Sequence, residues 1–356
     1  MTRRGARHAF LCASWIFAAG FGPADPEAQK GAASGVDAET AQAPADPSAV
    51  SARPAKIPVG SAKKESKLRL TLDAALLADS NITNSSYDAE RAAAAGGSAY
   101  PGGADKPKQG IGRMLAAAAS LRLPVSKNVA LAADADAYLL DYDGRLADDA
   151  GVTVSAGAEI KVDPRTTALI QATASDRWYG HILASSGIGA RAQLRHQVAE
   201  GRQLTLSVDA RVLTSDYSEL LGGRQLGASA TYDMTLNPNL TVGIGAYARR
   251  EWLKGPAYAN TDVGVFGMAN RYLGPNLLVG VYGGVSRGGY DAADPYLSPD
   301  VRIDWRWYGG AYLTTRKPLF FGIFPNLSYT YSHTGSTVSF YRVDRHRARL
   351  GVRRSF

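Results

Sequence analysis

The chain has 356 residues, 45% of them hydrophobic, and a formal charge of +8. That length suffices for two ordinary domains or one large barrel. The single cysteine, Cys12, lies in an export-type leader and the basic residues are spread along the chain, so disulfides, cysteine-based metal or catalytic sites and nucleic-acid partners are not expected.

The chain opens on Thr2-Arg3-Arg4-Gly5-Ala6-Arg7, followed by the apolar run HAFLCASWIFAAGFG. A basic segment before a short apolar one reads as a secretory signal peptide, assigned to residues 1–23. Leu11 precedes Cys12 where a lipoprotein signal wants a small residue, so no lipid anchor is expected. Residues 24–66 are rich in Ala, Pro, Ser, Asp and Lys without apolar periodicity. They read as a disordered periplasmic tail.

From residue 67 to 356 one pattern repeats. Apolar and polar residues alternate with period two, the signature of strands. Leu68, Leu70, Leu72, Ala74 and Leu76 alternate with Arg69, Thr71, Asp73 and Ala75. Val301, Ile303, Trp305 and Trp307 alternate with Arg302, Asp304 and Arg306. The separators also alternate. Short ones fall at 126–128, 163–165, 199–202, 237–239, 273–276 and 317–323; longer ones fall at 79–111, 142–149, 180–186, 217–223, 253–260, 290–300 and 335–343. They delimit fourteen strands, with both chain ends on the short-turn side.

The apolar face is often Ala or Gly, too small for a sandwich core but acceptable to lipid. With no water in the bilayer core, a spanning sheet must close on itself. The fold class is therefore all-β, a transmembrane antiparallel up-and-down barrel in the outer membrane of a Gram-negative bacterium. Trp178, Trp252, Trp305 and Trp307 lie near strand ends beside the long separators, and Tyr329 and Tyr331 share the parity of Leu327. They predict an interfacial girdle.

The last strand reads RHRARLGVRRSF. Leu350, Val352 and Phe356 share the lipid parity, while Arg345, Arg347, Arg349 and Arg353 share the lumen parity with Arg302 and Arg306 of an earlier strand. An Arg on the lipid face at mid-bilayer costs about 2–4 kcal/mol, whereas lumen charges are tolerated and tune selectivity. Two readings of this basic row stand open. It makes a cationic channel favouring anions, or it belongs to a structural lattice of cross-strand ion pairs. Arg345, Arg347 and Arg349 lack acids of their own parity on their strand, so partners are sought in Asp304 or, across the closing seam, Asp73.

The loop 79–111 is long for a hairpin connection and offers an inward plug or a surface loop. Asp79 and Asn81 supply too few oxygens for a cation site by themselves. His181, His196, His333 and His346 fall on separate segments without metal-ligand spacing. No enzyme activity, metal or cofactor is expected.

The stretch 322–356 combines a G-x-x-P turn into a Tyr-alternating strand, the Ser-bearing loop GSTVSFY and an Asp-Arg-x-Arg strand ending in Phe. It resembles the C-terminal barrel domain of the surface lipoprotein assembly modifier family. Asp79, Ser80 and Asn81 resemble that family's Asp-Ser-Asn element after the first strand. The resemblance implies a fourteen-stranded barrel that helps lipoproteins, and sometimes soluble secreted proteins, across the outer membrane. It implies outer-membrane lipid, the barrel-insertion machinery and a protein client as partners. The terminal Phe356 is similar to the insertion signal of such barrels. Family members carry tetratricopeptide repeats before the barrel; residues 24–66 hold no repeat of the required length of about 34 residues. Client capture would then fall to the tail or to a separate partner. The first and last strands, 68–77 and 344–356, would form the seam. The alternative is a passive channel for small anionic solutes.

Overall fold

The computed structural model describes residues 67–84, 86, 107–143, 148–180, 182–294, 297–315 and 317–356. The expected signal peptide and tail, and most of the first long loop, lie outside the described residues.

Period-two alternation gives each strand one apolar and one polar face, and closure buries the second. Fourteen strands result: β1 (Lys67–Asp79), β2 (Gly110–Pro124), β3 (Val129–Tyr142), β4 (Asp149–Lys161), β5 (Thr166–Tyr179), β6 (Ile182–Ala199), β7 (Arg202–Thr214), β8 (Gly223–Asn237), β9 (Leu240–Leu253), β10 (Asn260–Leu273), β11 (Leu277–Ala293), β12 (Val301–Thr315), β13 (Ile323–Ser336) and β14 (Val343–Ser355). Each pairs antiparallel with its sequence neighbours, and β1 pairs with β14 to close the barrel. The count, the topology and the fold class are those read from the sequence.

The exposed large side chains trace the lipid face. Leu72 and Leu76 on β1, Leu115 on β2, Ile170 on β5, Ile188 on β6, Val265 on β10 and Leu350 on β14 all point outward. The opposite parity holds the buried polar set, including Asp134, Gln171, Arg249, Asp262, Asp304 and Arg345. The four tryptophans Trp178, Trp252, Trp305 and Trp307 are exposed on the lipid face. Tight turns join strands on the side where the chain ends. Gly201 and Gly274 adopt φ of 66° and 64° there, a left-handed conformation that glycine reaches without a Cβ clash.

The strands differ from the expected lengths on the other side. Residues 182–186, expected in a loop, belong to β6, and β11 runs on to Ala293. The β5–β6 register slips between Arg177 and Trp178. A bulge of this kind shifts side-chain parity by one, so the alternation is broken where the strand continues. On that same side Leu213, Leu221, Leu253, Tyr258 and Ala259 form a small apolar cluster over the ends of β7–β9.

Candidate functional site

The lumen-facing side of the β1–β14 seam carries the densest charge cluster tied to the predicted residues. Asp73 and Asp79 stand three pleat repeats apart on the inward parity of β1. Asp79 is 3% exposed and accepts from Arg345 Nη2 at 2.8 Å and from Arg347 Nε at 3.0 Å. It also accepts from the Tyr142 hydroxyl at 2.7 Å and the Asn81 backbone N–H at 3.0 Å. Asp73 accepts from Arg349 and, at 3.0 Å, from Arg353 Nε. Two carboxylates on one strand thus hold four guanidiniums on the other. Guanidinium forks suit this work because their donors are planar and permanently charged.

The Asp79-Ser80-Asn81 element fastens the outer end of the seam. The Ser80 backbone N–H donates to His346 O at 3.0 Å, and the His346 N–H donates to Ser80 Oγ at 2.8 Å. Asn81 Nδ2 donates to Asp344 O at 3.3 Å, and Ser86 Oγ donates to Ser339 O at 2.7 Å. Asp79 and Asn81 therefore serve as partners of β14. Among the described residues no group of His, Cys, Asp or Glu is arranged to hold a metal ion.

The backbone ladder beneath the clasp is short. It runs from Thr71↔Ser355 to Asp79↔Arg347, nine pairs, against eleven in the next shortest, β12–β13. Two reciprocal bonds extend it at Leu70–Phe356 and one backbone bond at Ser80–His346. Leu350, Val352 and Phe356 are exposed on its lipid side.

Arg302 and Arg306 also face the lumen but belong to a separate cluster. Arg302 Nη2 donates to Asp304 at 2.6 Å and its guanidinium stacks on the Tyr290 and Tyr341 rings. Tyr341 lies in the loop between β13 and β14, where burial pushes its phenol up to about 12. Arg306 donates to Asp262 at 2.7 Å, and Arg249 Nη2 lies 3.6 Å from the same carboxylate. Elsewhere Arg122 pairs with Asp134, Arg195 with Glu159, and Arg177 with Asp149 at 2.6 Å. The basic residues of the lumen are thus largely matched by acids on the same strand or one or two strands away, as a structural lattice requires. At the seam, four arginines share two carboxylates.

The alternation read from the sequence puts Asp73, Asp134, Asp136, Glu159, Asp209, Asp233, Glu251 and Asp304 inward; Asp79, Asp149 and Asp262 fall outside that set. Asp79 and Asp149 sit at strand ends and read as loop residues. Asp262 is buried at 0% exposure on β10; extending the alternation of Val263 and Val265 back by one residue would have placed it inward. A second feature escaped the sequence. Tyr138, Tyr142, Tyr247, Tyr282, Tyr308 and Tyr312 each lie directly opposite a glycine: Gly151, Gly112, Gly264, Gly310, Gly284 and Gly280. A Cβ at any of these glycines would meet the tyrosine ring closer than 3.0 Å. Each ring therefore lies along the wall, over the neighbouring backbone.

The family model described as surface lipoprotein assembly modifier matches residues 69–356. No curated protein matches the chain. Among solved structures, the outer membrane channel DcaP of Acinetobacter baumannii is similar at 12% identity, with a TM-score of 0.50 over 82% of this chain and 97% of that one. Pseudomonas aeruginosa OccK3 matches at 10% identity and a TM-score of 0.40, over 81% and 95% of the two chains. At 12% identity the likeness to DcaP concerns the fold alone. Barrel and family together place the protein in the outer membrane.

Proposed function

We propose, from the premise that the chain belongs to the surface lipoprotein assembly modifier family, that this outer-membrane barrel aids translocation of lipoproteins or secreted proteins to the cell surface. The observation that carries the reading is the β1–β14 seam. It joins the shortest ladder of the barrel to a lumen-side clasp of Asp73, Asp79 and four arginines. An ion-pair clasp is directional and separable. It can open against a polar client segment in the lumen while the client's lipid-borne part leaves through the parted strands. No catalytic step, metal or cofactor enters this reading. The partners are outer-membrane lipid, the insertion machinery that meets the Phe356 strand, and a protein client.

The test compares cell surfaces. Intact cells with and without the gene are shaved with protease and the released proteins identified by mass spectrometry. One or two lipoproteins should vanish from the surface while remaining in the cell. An unchanged surface removes the translocation reading.

One observation favours a second reading, a passive channel for small anionic solutes. Four arginines share two carboxylates at the seam, so that side of the lumen keeps a positive excess. A low-dielectric wall focuses such a field. Planar-bilayer conductance separates the readings, because a channel conducts steadily without a client.

A further inference from the structure

The lipid face is uneven around its loop-side rim. On β2–β8 one tryptophan, Trp178, stands there. On β12–β14 six side chains interlock. Trp307 packs on Tyr331 with ring centroids 4.9 Å apart and on His333 at 5.3 Å. His346 packs on Tyr331 at 4.6 Å and accepts from or donates to the Tyr329 hydroxyl through Nδ1 at 2.7 Å. Asp344 accepts from the Tyr331 hydroxyl at 2.7 Å and meets His333 Nδ1 at 2.7 Å. Beside them Trp305 is 55% exposed, with the Arg287 guanidinium over its ring at 5.8 Å.

All six of these residues have the outward parity of Leu327 and Leu350. Below them on β14 the lipid face is Ala348, Leu350 and Val352, then Arg354 near the opposite rim. The shelf thus sits at one membrane interface, the one beside the long loops. A girdle needs amphipathic rings; it does not need a carboxylate and two imidazoles fixed among them. A carboxylate facing lipid is costly unless hydrogen-bonded. Here it is held by two partners and its side chain is still 39% exposed, so acceptor capacity remains.

We infer that this shelf, the six interlocked residues around Tyr331 with Trp305 beside them, binds the sugar headgroup of an outer-leaflet glycolipid. Three features fit that chemistry. Exposed ring faces accept the C–H faces of a sugar. Asp344, the imidazoles and the Tyr329 hydroxyl supply mixed donors and acceptors for vicinal hydroxyls. The apolar column beneath takes the acyl chains. A purely anionic headgroup fits less well, because the carboxylate stands at the centre of the shelf. The site adjoins β14, so a bound lipid would rest against the closing strand.

The test uses the purified full-length protein in detergent and native mass spectrometry. Glucosyl diacylglycerol, phosphatidylglycerol and phosphatidylethanolamine with identical acyl chains are offered in competition. The sugar lipid should be retained about tenfold over either phospholipid, the effect of roughly 1.4 kcal/mol. Asp344→Asn combined with His333→Gln should erase the preference, as should Trp307→Ala alone, while Trp178→Ala leaves it intact. Heat-modifiable gel mobility selects variants that fold. Equal retention of the three lipids, preference for phosphatidylglycerol, or a sugar preference that survives the shelf substitutions in folded protein would each overturn the assignment.

Discussion

Asp79 is one carboxylate bonded to two arginines, a tyrosine and a backbone N–H. Removing its charge leaves Arg345, itself buried, without its main counter-ion. Breaking a buried pair in this way costs on the order of 3–5 kcal/mol. Asp79→Asn should therefore lower the temperature at which the folded band disappears on a heat-modifiable gel. Asp143→Asn is the control. Its partner Arg113 is 62% exposed on the rim, and surface pairs contribute roughly 0–1 kcal/mol. Equal effects of the two substitutions would show that the clasp does not hold the seam. Gly280 tests a different residue-scale device. Gly280→Val pushes the Tyr312 ring off the wall and away from Asn270. Overpacking of this kind costs about 1–3 kcal/mol. Tyr312→Ala in the same chain should restore most of the lost thermal resistance; a purely additive double variant would contradict the wall packing.

β14 carries two functions on two parities. Its inward arginines close the seam and its outward residues meet lipid. Leu350→Arg should impair folding into vesicles by about 2–4 kcal/mol, the midplane cost of an exposed arginine. Moving one residue along, Arg349→Leu should leave insertion intact and loosen the Asp73 clamp. The seam itself is testable as an element. Ala78 and Ala348 are directly opposite across β1–β14 on the lipid side, and residues 67–356 contain no cysteine. Ala78→Cys with Ala348→Cys should cross-link on oxidation without blocking folding. If the client passes the seam, oxidised cells lose its display and regain it on reduction. Display that ignores the cross-link would place the client's path elsewhere.

At the scale of the whole molecule, charge balance decides between the two readings of the lumen. If the barrel conducts as a channel, Arg347→Gln with Arg353→Gln should lower anion over cation selectivity in planar bilayers, because the carboxylates they share remain. A chain that conducts nothing leaves translocation as the working role.

The sequence by itself determined the fold class, the strand number, the two faces and the side on which the chain ends. These follow from period two, from separator length and from the requirement that a sheet in lipid close. It also placed Arg345, Arg347, Arg349 and Arg353 inward, because side-chain direction is local. What each arginine touches was decided only by the tertiary structure. Asp79 and Arg345 lie on the first and last strands, 266 residues apart, and only closure with a fixed register brings them together. The same holds for the grouping of Arg302 and Arg306 with Asp304 and Asp262, apart from the β14 arginines. The tyrosine–glycine pairs and the shelf on β12–β14 depend on register too. Parity is carried within one strand, whereas partnership depends on the stagger between strands, which no single strand encodes.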